Sequence, residues 1–517
     1  MGWRYRYGAR VIKAGWRVHF VPAELPVPRM PLPFVSELPG EWDRWLAEDD
    51  TPVRTPFLIS PGFEYDVELN AFFRSATMIG SAWNTQAGYA RDLAAFLTFL
   101  WSCRGGKSWR EVTEADHTAY LIWRRRDEHG PRVDDATWDR EVAAVNRFYK
   151  WQVRAGNVRV NPIPQRETRS VPAHVGRRGG ERGETPATYS HGAGRERIEW
   201  LPAASYRRWR DVGVRGYRPD GLPASRFRGR WAARNATFCD LMVRTGMRLS
   251  EQAALSLFEV PLDRGLGGYQ RFWLPPAIAK GGSARWIYAP ASVVADLLSY
   301  AEIDRADVVD QARAEGRYQR IRCPLVVEDP ARPVVVQRQR GGAVYRIKVA
   351  QLDLEERRRL LIDGPGGLEP AAFWLSEYGL PVAVPTWKDL FREANLRCQE
   401  QGVNLSAHAH LLRHTFAVIT LEQLQRGHIA ALAELSPEQR GHYTRIFGDP
   451  LDWVRRRLGH RSVVTTQVSL NSLAELEMVT RMVLVPDRWE DPRDTPLEEI
   501  GDDTVAPLAT ARIGEQR

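Results

Sequence analysis

Leu93, Phe96, Leu97, Leu100 and Trp101 follow one another at spacings of 3, 1, 3 and 1, which places them on one stripe of an α-helix. Trp138, Val142, Val145 and Tyr149 repeat the pattern at 4, 3 and 4, and Gly156 stands where a helix end takes a left-handed residue. This periodicity predicts a small all-helical domain over 80–160. Upstream, residues 1–79 carry the run HFVPAELPVPRMPLPF with no sustained period, which reads as an extended arm packed on something else. Downstream, 161–197 holds Gly, Pro and seven Arg against few apolar residues, the composition of a basic linker that does not fold alone.

From 198 to 485 helical runs alternate with short strands. YQRFWLPPAIAK and SARWIYAP flank Lys280-Gly281-Gly282 as the arms of a β-hairpin. Two stretches read as insertions, one near 310–370 with the strand-like PVVVQRQRGGAVYRIKV and one at 425–450, helical and polar. After Pro486 the chain carries eight acids and two Arg by residue 503, a solvated tail over 486–517. The fold class expected is mainly α with small β elements, α+β, in more than one domain.

Composition narrows the classes. With 517 residues, 43% hydrophobic and 26% charged, the chain is ordinary for a globular protein and excludes collagen or low-complexity polymers. A net charge of +9 suits a polyanionic partner. Cys103, Cys239, Cys323 and Cys398 stand far apart with no C-x-x-C pair, so neither a zinc ribbon nor a disulfide framework is indicated and a reducing cytoplasm fits. No apolar stretch approaches the roughly 18 residues of a membrane span, and MGWRYRYGARVIKAGW lacks the apolar core of a secretory signal. A cytoplasmic protein with no membrane partner is expected.

Three segments carry candidate chemistry. In RNATFCDLMVRTGMRLSEQAALSL an apolar helix with Phe238, Leu241 and Met242 runs into Thr245-Gly246, then presents Arg248 at the start of a second helix. Free N–H groups there favour a phosphate. In HAHLLRHTFAVITLEQL, His410 and Arg413 share a helical face while Phe416 and Ile419 face the core. In WVRRRLGHRSVVTTQVSLN, Leu458-Gly459 turns the chain and exposes His460. His408, His410 and His414 match no usual zinc spacing, so no metal is expected.

In this order, T-G-M-R-L-S-E, a hairpin Lys, H-x-L-R-H-T-F-A and L-G-H-R-S-x-x-T-T resemble the boxes of the tyrosine recombinase, or phage integrase, family of site-specific recombinases. The resemblance spans about 80–475. It implies a helical core-binding (SAM-like) domain at 80–160 and a catalytic domain at 198–485, closing on duplex DNA as a C-shaped clamp. It places the catalytic residues on Arg248, Lys280, His410, Arg413 and His460, with Glu251 in support. It implies DNA breakage and rejoining at a specific site without cofactors or metal, self-assembly or assembly with other recombinase subunits on DNA, and residence on the nucleoid when bound. The physical logic is phosphoryl transfer: the two Arg grip nonbridging oxygens bidentately, Lys280 protonates the departing 5′ oxygen, and His410 or His460 handles the nucleophile's proton or binds phosphate. Arg177, Arg178 and Arg182 of the linker are expected to follow the DNA backbone.

Two departures qualify the resemblance. The nucleophilic Tyr of the family falls about nine positions after the third-box His, where this chain has Ser469, and no Tyr follows Tyr443. A Ser hydroxyl stops several ångströms short of a phenol oxygen and is the poorer nucleophile and leaving group. Arg413 and Leu458 are also 45 positions apart, longer than the compact family pattern. Three readings stay open: Tyr443 or another Tyr is brought in by the insertion, a partner subunit supplies the nucleophile, or the chain binds and bends DNA without cutting it. The competing functions are a noncatalytic DNA-binding accessory and a type IB topoisomerase-like relaxing enzyme, which also needs the missing Tyr.

Overall fold

The computed structural model describes residues 15–22, 51–167, 184–190, 199–225, 227–261, 268–338, 344–434 and 450–460. The chain divides into two compact units, Met1–Glu196 and Arg197–Arg517.

The first unit is built on three helices, α1 (Trp83–Cys103), α2 (Glu114–Arg125) and α3 (Asp135–Arg154). Asp134 caps α3 by accepting the N–H of Thr137, and Gly156 past its end takes the left-handed conformation. Leu93, Phe96, Leu97 and Leu100 are buried against Trp138, Val142, Val145 and Tyr149, as the spacing predicts. Trp101 differs: it is 43% exposed. It sits two residues before the end of α1, at the border of the apolar stripe, and lies against the Gly105-Gly106 turn instead of the core.

The described parts of the N-terminal arm, 15–22 and 51–79, pack on this helical unit. Strands β1 (Arg17–Phe20) and β2 (Pro56–Ile59) pair antiparallel, and Asn70 clips β2 through both the N–H and the carbonyl of Leu58 at 2.7 and 3.0 Å. Part of the linker is likewise ordered. β3 (Gln165–Glu167) pairs with β4 (Glu184–Pro186), the Trp138 indole donates to Thr188 O at 2.8 Å, and Asp139 accepts the N–H of Ser190. Tyr189 also packs on the core of this unit. Arg177, Arg178 and Arg182 lie outside the described residues.

In the second unit, α4 (Ala203–Trp209), α5 (Ala232–Thr245) and α8 (Val384–Glu400) enclose the main core. Phe238 of α5 stacks on Trp387 of α8 at 3.6 Å. The short α6 (Leu249–Ala253) follows α5, and the hairpin of β5 (Tyr269–Leu274) and β6 (Arg285–Pro290) leads to α7 (Ala291–Tyr300). Lys280–Gly282 form the helical turn inside the connecting loop. Residues 325–370 build a five-stranded sheet in the order β11-β10-β7-β8-β9, from β7 (Leu325–Val327), β8 (Val334–Arg338), β9 (Val344–Lys348), β10 (Leu360–Gly364) and β11 (Gly367–Pro370). It has its own small core around Leu325, Val327, Val335 and Leu360.

Two further described helices of the unit, α9 (Ala409–Glu434) and α10 (Pro450–Leu458), pack through Phe416, Val418, Leu421, Val454 and Leu458. Phe416 is buried, whereas Ile419 is half-buried on the wall of a cavity. Residues 435–449 with Tyr443, the stretch 461–485 with Ser469, and the acidic tail fall outside the described residues. No described helix is long and apolar enough to cross a membrane.

Candidate phosphate-binding site

Two left-handed glycines bring the sequence boxes together. Gly246 ends α5 at φ 64°, and a Cβ there would fall inside the ring of Phe416 on α9. Only glycine accepts both the conformation and the approach. The carbonyl freed at this turn accepts from Arg413 Nη1, so the first Arg-bearing turn is joined to α9 by a side-chain-to-backbone hydrogen bond. Gly459 follows α10 at φ 66°, and a Cβ on it would lie 2.9 Å from Ser283 Oγ and 3.2 Å from Arg285 Nη1. The α10 turn therefore abuts the hairpin loop.

Arg413 is the centre. Its side chain is 3% exposed, and besides Gly246 O it holds Leu458 O through Nη2, which also lies 3.4 Å from His460 Nε2. Burial and then the charge of Arg248 pull its pKa down to about 9, with Glu251 pulling the other way; it stays cationic at neutral pH.

Glu251, fully buried, organises the other side. As the third residue of α6 it accepts the Arg248 N–H at 3.0 Å, the carboxylate half of a capping box. Its Oε1 also accepts from Arg248 Nη1 at 2.9 Å and from the Lys280 N–H at 3.2 Å. Burial pushes Glu251 up, but the hydrogen bonds and charge of Arg285, then those of Arg248, outweigh it and hold the group at about 2. Lys280 is exposed on its turn, tethered to the site through its backbone.

Three imidazoles face these cations. Burial, then Arg413 and Arg248, lower His460 to about 4. Burial, then His410 and Arg413, lower His414 to about 4. His410, whose ring meets that of His414 at 4.3 Å, is lowered by desolvation and then by Arg413, His408, Arg248 and Lys280. All three are neutral at pH 7, fit to accept a proton or to donate one ring N–H.

Arg248, Glu251, Lys280, His410, Arg413 and His460 thus occupy one neighbourhood; Ser469 and the three linker arginines lie outside the described residues. The sequence reading missed Arg285, only 6% exposed. Its Nη2 donates to Glu251 Oε2 at 2.6 Å and its Nε to Arg457 O at 2.8 Å. The signal was present: in β6, Arg285 shares the inward face with Ile287 and Ala289, and a charge at a buried strand position needs a partner. A cavity of about 810 Å³, walled by Tyr206, Arg244, Tyr288, Asp296 and Trp453, is lined by none of these site residues. Among the described residues, no group of three or more His, Cys, Asp or Glu is arranged to hold a metal ion.

Concentrated cationic donors with neutral imidazoles beside them suit one phosphate. Residues 78–156 match the family model "Phage integrase, N-terminal SAM-like domain". No curated protein matches the sequence. Among solved structures the chain is similar to XerA recombinase at 16% identity, covering 80% of this chain and 99% of that one with a TM-score of 0.30. It is similar to XerH site-specific recombinase bound to palindromic difH substrate at 13%, covering 81% and 88% with a TM-score of 0.44. It is also similar to a lambda integrase(75–356) dimer bound to a COC′ core site at 13%, covering 78% and 93% with a TM-score of 0.38. Residues 78–156 of the first unit are thus similar to the phage integrase SAM-like domain, and the second unit gathers the boxes singled out in the sequence into one site.

Proposed function

We propose that this protein binds duplex DNA through both units and engages one phosphodiester with Arg248 and Arg413 in site-specific DNA integration or recombination. The observation that carries the reading is that Arg248, held by the buried carboxylate of Glu251, and Arg413, beside His460, lie close enough for their charges to interact. As phosphorus is attacked, charge grows on the nonbridging oxygens, where two guanidiniums stabilise it most. The bond from nucleophile to phosphorus forms as the bond to the 5′ oxygen breaks. His410 or His460 takes the nucleophile's proton, and Lys280 supplies one to the leaving oxygen. Residues 80–160 act as the core-binding domain and 198–485 as the catalytic domain, and the protein assembles with copies of itself or other recombinase subunits on its site. It works in the cytoplasm, on the nucleoid when bound; its four thiols are all free.

One observation favours a second reading. Ser469 stands where the family nucleophile is a Tyr, and a protein that holds the phosphate without cutting it is an accessory or regulator of recombination, since the same Arg and Lys position DNA without cleavage. A supercoiled plasmid carrying DNA selected for tight binding by this protein separates the two. Covalent protein–DNA complexes establish the enzyme; mobility shifts without strand breakage establish the accessory. Absence of any DNA binding at low salt overturns both.

A further inference from the structure

We propose that Arg285 is a positioning residue of the phosphate site, neutralising Glu251 so that the Arg248 guanidinium stays available to a phosphate. The inference rests on the phosphate-site reading above and assigns a role to a side chain that the recombinase boxes do not include.

The charge arithmetic is local. One buried carboxylate faces two arginines: Glu251 Oε2 takes Arg285 Nη2 at 2.6 Å, and Oε1 takes Arg285 Nη1 at 3.3 Å and Arg248 Nη1 at 2.9 Å. Arg285 sits on both oxygens, so Arg248 is left with one side-chain bond to Glu251, and among the described residues no other hydrogen bond engages its guanidinium. Removing Arg285 leaves a fully buried carboxylate with one cationic side chain, Arg248, still hydrogen-bonded to it. The favourable response is a two-pronged pairing of Glu251 with Arg248, the fork geometry that guanidinium and carboxylate prefer. That pairing turns Arg248 away from the phosphate and cancels its charge.

Arg285 has a second tie. Its Nε donates to Arg457 O, the carbonyl next to the one that Arg413 holds, and its Nη1 lies close beneath Gly459. One side chain thus links the carboxylate hub, the strand that follows the Lys280 loop, and the turn that presents His460.

The test uses the full chain and inorganic phosphate as probe, with affinity read by calorimetry at neutral pH. Loss of phosphate binding in Arg248→Ala identifies the site. Arg285→Gln is expected to weaken phosphate on the order of tenfold. The double variant Arg285→Gln with Glu251→Gln is expected to recover to within about threefold of wild type, because no carboxylate then competes for Arg248. Arg285→Lys keeps the charge but not the reach to Arg457 O; it is expected to hold phosphate affinity while melting at a lower temperature. A merely structural Arg285 gives the opposite pattern, with a folded double variant about tenfold or more weaker than wild type, and that result overturns the proposal even if Arg285→Gln alone does not fold. Unchanged affinity in a folded Arg285→Gln overturns it too. Failure of wild type to bind phosphate overturns the phosphate-site reading and this inference with it, whereas binding that survives Arg248→Ala overturns the placement of the site.

Discussion

Arg285 and Arg413 hold consecutive carbonyls at the end of one helix: Nε of Arg285 donates to Arg457 O at 2.8 Å, and Nη2 of Arg413 donates to Leu458 O. These are carbonyls that the last turn of α10 leaves without helical partners. Two arginines from distant parts of the sequence, one on a hairpin and one on α9, therefore replace a helix cap and fix the direction of the chain through Gly459 to His460. Fixing that turn costs the protein two buried guanidiniums, and it aligns His460 before any ligand arrives.

Arg413→Lys tests how much of the site depends on the planar fork. An ammonium keeps the charge but cannot reach Gly246 O and Leu458 O together while presenting a donor to His460. We expect phosphate affinity to fall about ten- to a hundredfold and stability to fall by about 1–3 kcal/mol, the usual cost of leaving buried acceptors unpaired. Urea unfolding alongside phosphate calorimetry separates the two losses.

Gly246→Ala is expected to destabilise the second unit by more than 1 kcal/mol on an order-of-magnitude basis, since the left-handed backbone and the Phe416 ring both oppose a methyl group there. Combining it with Phe416→Ala relieves the overlap but opens a cavity. Chemical denaturation of the single and double variants checks this: the two changes should be non-additive because they share one contact.

Stability should rise with pH between about 4 and 6.5. His414 and His460 are each held at about 4 in the folded protein, mainly by burial and then by neighbouring cationic or imidazole groups, against about 6.5 unfolded. Between those values the unfolded chain binds protons that the folded chain refuses, so acidification through this window favours unfolding. Glu251, held at about 2, adds in the same direction below its unfolded value of about 4.5. Melting temperature against pH measures the slope, and His414→Gln should flatten it above pH 4.5.

How far the sequence revealed this arrangement depended on which interactions have a local signature. The helical stripe from Leu93 to Leu100 and the hairpin around Lys280 follow from periodicity and turn chemistry alone, and both stand in the structure. Trp101 was misplaced because a stripe read over spacing takes no account of where the helix stops. Arg285 escaped because its partners, Glu251 and Arg457, are 34 and 172 positions away: the alternation of β6 marks the position as inward, but nothing local names what pairs its charge. The ordering of 184–190 was missed for a related reason: composition counts apolar residues, and that segment is held by the Trp138 indole and the Asp139 carboxylate instead.

DNA affinity should fall steeply with salt, because cations that displace condensed counterions give a linear loss in log affinity against log salt. Replacing Arg177, Arg178 and Arg182 together with Ala is expected to flatten that slope by roughly two to three while leaving sequence preference intact, as backbone contacts carry no base information. Fluorescence anisotropy over a salt series with two unrelated duplexes measures both quantities. An unchanged slope removes the linker from the interface.

Ser469→Tyr tests whether the chain lacks only a nucleophile. The groups proposed to stabilise charge on phosphorus, Arg248 and Arg413, lie close enough to interact, and the neutral imidazoles of His410 and His460 stand beside them. What the sequence lacks at the ninth position after His460 is a phenol, whose oxygen lies farther from the backbone and ionises several pKa units more readily than an alkyl hydroxyl. Wild type and Ser469→Ala are therefore expected to form no covalent adduct with nicked suicide duplexes built from a tightly bound sequence, while Ser469→Tyr forms a measurable fraction. Denaturing gels of the four proteins, wild type, Ser469→Ala, Ser469→Tyr and Tyr443→Phe, read the result directly. An adduct from wild type that vanishes in Ser469→Ala makes serine the nucleophile and refutes the argument from reach and acidity. One that vanishes in Tyr443→Phe assigns the nucleophile to the segment between Arg413 and Leu458, and explains why those two residues stand 45 positions apart.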